Sequence, residues 1–335
     1  MPEMSGLSRF GSTLRTVNPS QIAAPSSGQE AKLALRFPAG APVESLAFSP
    51  NRTLLAVGCS DGTGRVWEIA GGSPIERGVF RLDAAVGAVA FASNNRTVAA
   101  GSTSGVVKVF ELTSATLRDA GIQRGSRGAI EALAFSPDCT LLAGAGADQI
   151  LRLWEPGKST NNDPRSQLPG HTQPIRAIAF APDGHGIATA SADSTARIWA
   201  LNRIRPGQLV SLPHCAEVVT VSFAPDGRTL AASGKDQVIW LWDLTATKPT
   251  VRTRLAGHPS GTRLVQFSSD GETVVSVGGA NDVMNWSPRS GRLRAEWSLP
   301  GAAGVRHAIT ADGRYLARAA ADGTVELFRV ADKRK

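Results

Sequence analysis

Cysteine is scarce: Cys59, Cys139 and Cys215 are the only three, and no two are spaced as CxxC. That excludes a disulfide framework or a thiolate zinc knuckle as the source of stability, and it makes a reducing compartment, the cytoplasm, the expected location. Long apolar runs are missing too. No stretch approaches the roughly 20 residues that a membrane-spanning helix needs, so a soluble protein without membrane contact is expected. The opening MPEMSGLSRFGSTLRTVNPS lacks the apolar core of a secretory signal. It suggests a transit peptide only loosely, because Glu3 and prolines interrupt any amphipathic helix. His185, His214 and His307 have no metal-ligand spacing, and neither a metal nor another cofactor is expected. Charge of one sign is not strongly in excess: of the net +8, residues 1–42 and 331–335 carry +2 each, leaving +4 on the body. Basic clusters are short, as in Arg289, Arg292 and Arg294 or Arg203 and Arg205, which argues against a nucleic-acid-binding face.

What the chain has in quantity is turn-forming residues, 35 glycines and 20 prolines, arranged with a period. Phe48, Phe91, Phe135, Phe180, Phe223, Phe267 and Ile309 each end a short apolar run. An aromatic follows each of them 19 residues later: Trp67, Phe110, Trp154, Trp199, Trp242, Trp286 and Phe328. Successive repeats lie 42 to 45 residues apart, the mark of an array of supersecondary units. Within a unit the first run is β-branched and apolar, and turns such as Ala181-Pro182-Asp183-Gly184 follow it with type I chemistry. A small-residue run then leads to a second turn at Asp61-Gly62, Asp148-Gln149, Asp193-Ser194, Asp236-Gln237 or Asp322-Gly323. The third run alternates into the aromatic, which places that ring on a buried face. Fourth strands, such as those near Gln208 to Leu212 and Leu293 to Leu299, are less regular, as suits an outer edge.

Gly170-His171, Phe180, Pro182-Asp183-Gly184, Asp193, Trp199 and the Trp242-Asp243 pair resemble the WD-repeat family over about residues 31 to 330. The resemblance implies an all-β, seven-bladed β-propeller with four antiparallel strands per blade around a central channel. Only seven residues follow Phe328, too few for a last outer strand. Residues 31–37 resemble the outer strand at Arg294 to Gly301, and Gly40 precedes Phe48 by the eight residues that separate Gly301 from Ile309. The N-terminal strand is therefore expected to pair with the last blade near Thr324 to Val330 and close the ring. Residues 1–30 are expected to form a disordered tail, with a partner-docking helix over Leu7 to Val17 as the alternative. Residues 331–335 form a basic tail.

His171, Thr189, Asp193 and Trp199 resemble the family's structural tetrad. A hydroxyl, an imidazole and a carboxylate could form a nucleophile relay, but the resemblance implies a hydrogen-bonded brace. Blade four is the only complete copy by position: blade six has Ala280 where the aspartate belongs, with Asp282 two residues late, blade two has Ser104 and Phe110, and blade seven has Arg318, expected to pair with Asp322, with a solvent-facing place on a binding surface as the alternative. Gly157-Lys158-Ser159-Thr160 ends like a phosphate loop but lacks the first glycine and a following helix, so it is read as a linker. The sequons at Asn51 and Asn95 are read as polar turns. By analogy with the family, the chain is expected to be a non-enzymatic scaffold that binds a protein or peptide. The expected contact ring is Glu44, Glu131, Arg176, Lys235, Arg263 and Arg306, and reversing Arg176 and Arg263 together should weaken capture at unchanged melting temperature. A propeller hydrolase or lyase, which needs paired carboxylates or histidines at the channel, and a nucleic-acid-associated subunit are the alternatives.

Overall fold

The structure is a computed structural model and describes residues 29–114, 116–157, 163–201, 206–301, 303–304 and 306–330. Among them there is no helix. There are seven sheets, each with a four-stranded antiparallel core running outward from an innermost strand. Blade one is typical, with Val43–Phe48 innermost, then Leu54–Cys59, Thr63–Glu68 and, at the outer edge, Ile75–Arg81. The innermost strands of the following blades are Val86–Phe91, Ile130–Phe135, Ile175–Phe180, Val218–Phe223, Thr262–Phe267 and Arg306–Ile309.

Why the second strands are rich in alanine, glycine and serine follows from their position. Each is flanked by a neighbouring blade on both faces, so Leu54–Cys59 and Thr229–Gly234 are buried at every residue. The packing is close: a Cβ on Gly58 would lie 2.4 Å from Ser45 Oγ and 2.5 Å from Val86 of the next blade. The repeated aromatics close these faces further out. Phe110, Trp154, Trp199, Trp242, Trp286 and Phe328 are buried, while Trp67 is only half-buried. The apolar core divides into seven clusters, each spanning two adjacent blades. Burial between neighbours, at about 25 cal/mol per Å² of apolar surface, is thus the main cohesive force around the ring.

The turns between first and second strands form a belt around the axis. Their fourth residues, Arg52, Asn95, Cys139, Gly184, Gly227, Gly271 and Gly313, all have positive φ. That left-handed step suits the glycines expected at four of the positions, and the other three accept it in exchange for the turn hydrogen bond to the first residue. Adjacent turns touch. Asn51 N–H donates to Asn95 Oδ1 (2.8 Å), Ser93 Oγ to the Pro137 carbonyl (2.7 Å), and Ser269 N–H to the Ala311 carbonyl (2.7 Å). Pro137, Pro182 and Pro225 lie against Gly184, Gly227 and Gly271, and Arg52 pairs with Asp312 across the first and last blades.

The ring is closed as expected. Lys32–Pro38 is the outer strand of blade seven, antiparallel to Thr324–Arg329, with Lys32 opposite Arg329 and Pro38 opposite Thr324. Its bulge between Leu33 and Leu35 stands opposite Phe328, as the outer strand of blade one shifts register opposite Trp67. Gly40 and Gly301 share a positive φ, 91° and 82°. The segment enters earlier than the sequence suggests: Gln29 and Glu30, expected in the tail, form a short parallel strand against Trp297 and Ser298 of blade six. Ala31 is buried between blades six and seven. Residues 1–28 and 331–335, with the tails and the Leu7 to Val17 helix read there, lie outside the described residues.

Phe37, 4% exposed, packs with its ring tilted against Trp67, centroids 4.9 Å apart, and joins the cluster between blades seven and one. Phe37→Ala should cost about 3–5 kcal/mol in a denaturant titration, as expected for a buried ring removed from a core. A loss below about 1 kcal/mol would show that the strand is not part of the core.

Candidate functional site

In blade four the tetrad is assembled. Trp199 Nε1–H donates to Thr189 Oγ1 (2.9 Å), Thr189 Oγ1 lies 2.7 Å from His171 Nε2, and His171 Nδ1 lies 2.7 Å from Asp193 Oδ2. Burial pushes the His171 pKa down against the pull of Asp193. Asp193 itself stays below its usual range, because bonds from Thr195 and His171 outweigh its burial. A neutral imidazole can therefore donate from Nδ1 to an ionised Asp193 and accept the threonine hydroxyl at Nε2. The hydroxyl is 0% exposed, and none of the four residues lines the channel. The geometry is that of a brace between loop and strands.

Blade six carries a second tetrad, which corrects the reading that only blade four is complete. His258 Nε2 lies 2.8 Å from Ser276 Oγ, Trp286 Nε1–H donates to the same oxygen (2.9 Å), and His258 Nδ1 meets Asp282 Oδ2. The aspartate reaches the histidine from the start of the third strand instead of the turn, which leaves its Oδ1 buried without a partner. Blade seven replaces the tetrad altogether. Arg318, 3% exposed, pairs with Glu326 on the neighbouring strand (Nε to Oε2, 3.0 Å), and not with Asp322 as expected. It also donates to the Pro300 carbonyl (2.6 Å) and lies over the Phe328 ring at 4.8 Å. Glu326 is shared with Arg36 of the closing strand (3.6 Å). Blade two holds Ser104 in a hydrogen bond to Asp83 (2.7 Å).

The end of the channel opposite the turn belt is an open cavity of about 760 Å³. In six blades the innermost strand has a register shift that leaves its second residue unpaired: Glu44, Gly87, Glu131, Arg176, Val219 and Arg263. A bulge re-aims the extra residue, and here all six line the cavity, joined by Arg306 of blade seven. Four of the six expected contact residues thus share one structural position, and Arg306, paired with Ala319 in blade seven, lines the same cavity. Lys235, the sixth, follows the second strand of blade five and reaches Glu217 (Nζ to Oε2, 2.6 Å). Glu217, Gly87 and Val219 were not anticipated. The 43-to-45-residue steps that connect positions 44, 131, 176 and 263 also land on 87 and 219 and are the signal for them.

The charges of this mouth are mostly paired. Arg176 bridges Glu131 (2.5 Å) and Glu217 (2.8 Å), while Arg306 holds Glu44 (2.9 Å). Burial works against the Arg176 charge, but the bonds to Glu131 and Glu217 outweigh it and raise its pKa. Glu217 is lowered in the same way by Lys235 and Arg176. Arg176 therefore ties blades three, four and five together. Reversing it would set three carboxylates side by side, so the expectation of an unchanged melting temperature does not survive the geometry. Arg263 is exposed and donates to the Gly304 carbonyl. Among the described residues no three His, Cys, Asp or Glu are grouped to hold a metal. Lys158, Ser159, Thr160, Arg203 and Arg205 lie outside those residues.

A bladed ring with buried braces and one open, charged mouth is a repeat propeller. The family described as WD domain, G-beta repeat matches residues 32–68, 78–111, 120–155, 162–200 and 207–243, more than half of the chain, and the chain belongs to that family. No curated protein matches it. The matched segments run from an outer strand to the aromatic of the next blade's third strand. They cover neither the displaced aspartate of blade six nor the ion pair of blade seven.

Asp282→Ala should destabilise by about 1–3 kcal/mol, as Asp193→Ala should in blade four, because a buried His258 donor loses its acceptor. A cost near zero in denaturant titration would mean that blade six has no working tetrad. His307 gives a pH test. Burial, then Arg263, Arg318 and Arg306, lower its pKa from 6.5 to about 3. The unfolded chain takes up the proton that the folded chain refuses, so this contribution is complete above pH 6.5 and is lost as pH falls toward 3. From pH 7 to pH 5 that is about 2 kcal/mol, and His307→Gln should flatten the stability profile by that amount. An unchanged slope would contradict it.

Proposed function

We propose that this protein is a non-enzymatic platform that captures a protein or peptide partner at the open mouth of its channel. Propellers of this family are typically interaction scaffolds. The observation that carries the reading here is the bulge: six blades release one residue each from strand pairing, and all six face one cavity. Residues freed from strand pairing and turned toward one cavity suit recognition on a rigid frame. The relay-like groups of blades four and six are committed to bracing. The three cysteines are unpaired, which supports a reducing compartment as the place of action.

Val219 is the bulged residue of blade five and carries no charge pair. Val219→Trp should fill the mouth and abolish the co-purification of partners from the native cells, read by mass spectrometry against the parent protein. Its stability should stay within about 0.5 kcal/mol of the parent, as for a surface change. Partners retained in full by this variant would show that the mouth is not the binding face.

A further inference from the structure

The junction of blades six and seven differs from the rest of the mouth. Arg176, Lys235 and Arg306 each have a carboxylate partner, but Arg263, although exposed, meets only the Gly304 carbonyl. Beside it two side-chain nitrogens lack partners: His307 Nε2 and the donor Arg318 Nη1 are both buried and make no hydrogen bond. Gly304 packs against both side chains, since a Cβ there would lie 2.4 Å from Arg318 Cγ and 3.0 Å from His307 Nε2. Arg263, Arg306 and Arg318 all bear electrostatically on His307. Within the mouth this quadrant sets Arg263 and Arg306 against the single carboxylate of Glu44. The Arg176 side balances two cations against Glu131 and Glu217. Beside the basic groups the lining is apolar, built from Pro42, Val43, Ala320, Ala321 and Val219.

We propose that this quadrant takes an acidic side chain, aspartate or glutamate, of the partner protein, with Arg263 as its anchor. The inference rests on the platform reading and adds the chemistry of the partner. A guanidinium without a carboxylate gains a charge-assisted pair from an incoming acid, at an open mouth whose neighbouring lining is apolar. A basic segment would meet Arg263 and Arg306 as like charges and is disfavoured here.

The test probes the full-length chain with an array of short peptides of random sequence, followed by fluorescence-polarisation titration of those that bind. The proposal expects binders enriched in Asp and Glu. One acid per binder should be critical: its replacement by Asn or Gln, or Arg263→Gln in the protein, should weaken binding about tenfold, and the two together should cost little more than either alone. Arg263→Lys, which keeps the charge, should recover part of the affinity, and thermal melts of both variants should match the parent. Binders that tolerate loss of every acid, or that bind Arg263→Gln as well as the parent, overturn the proposal and leave the platform reading standing. If the parent binds no peptide of any composition while remaining folded, the platform reading fails and the proposal with it.

Discussion

The structure depends on one strand ladder, between Lys32–Pro38 and Thr324–Arg329. The recurring sequence unit begins with an outer strand and ends at the third strand of the next blade, so it is one strand out of phase with the blade. Seven such units in a row leave an outer strand over at the start and a gap at the end. Joining the two removes a pair of exposed edges, which would otherwise invite pairing with other chains. It also makes the first and last blades neighbours, linked by the cluster around Phe37 and at the belt by Arg52 on Asp312.

Every other cohesive feature is local. Each apolar cluster joins two adjacent blades, and each tetrad or its substitute braces a single blade. A ring of nearest-neighbour interfaces has no free end from which to fray, so the closing ladder converts a linear array into a cooperative whole. The short strand at Gln29 and Glu30 extends this tie to blade six, with Ala31 buried in the same cluster as Trp297 and Phe328. The rigidity so obtained holds the bulged residues of the mouth in fixed relative positions, and this preorganisation is what a binding face requires.

Much of the architecture is legible in the sequence because the 19-residue interval from Phe48 to Trp67, and its six repetitions, is fixed by the geometry of three paired strands. Closure is legible because the strand count falls short. The braces are less so. Reading Asp193 by position works in blade four, but Asp282 reaches His258 from a strand, and Arg318 turns to Glu326, its neighbour across the sheet, instead of Asp322 in the turn. Position in a repeat does not reveal from which element a side chain arrives. The bulges are harder still, since Glu44, Gly87, Arg176 and Val219 have no chemistry in common, and the register shift that exposes them has no residue signature. The double role of Arg176, at the mouth and as a clasp on Glu131 and Glu217, follows from the same shift.

The central claim, that the N-terminal strand is an integral part of the last blade, is open to direct measurement by native-state hydrogen exchange on the full chain. Backbone amides of Leu35 to Phe37 should exchange with the same opening free energy as those of Val325 to Leu327, both at the level of global unfolding. Exchange of the N-terminal strand at a much lower free energy, while Val325 to Leu327 remain protected, would mean that the ring holds together without it and would contradict the account.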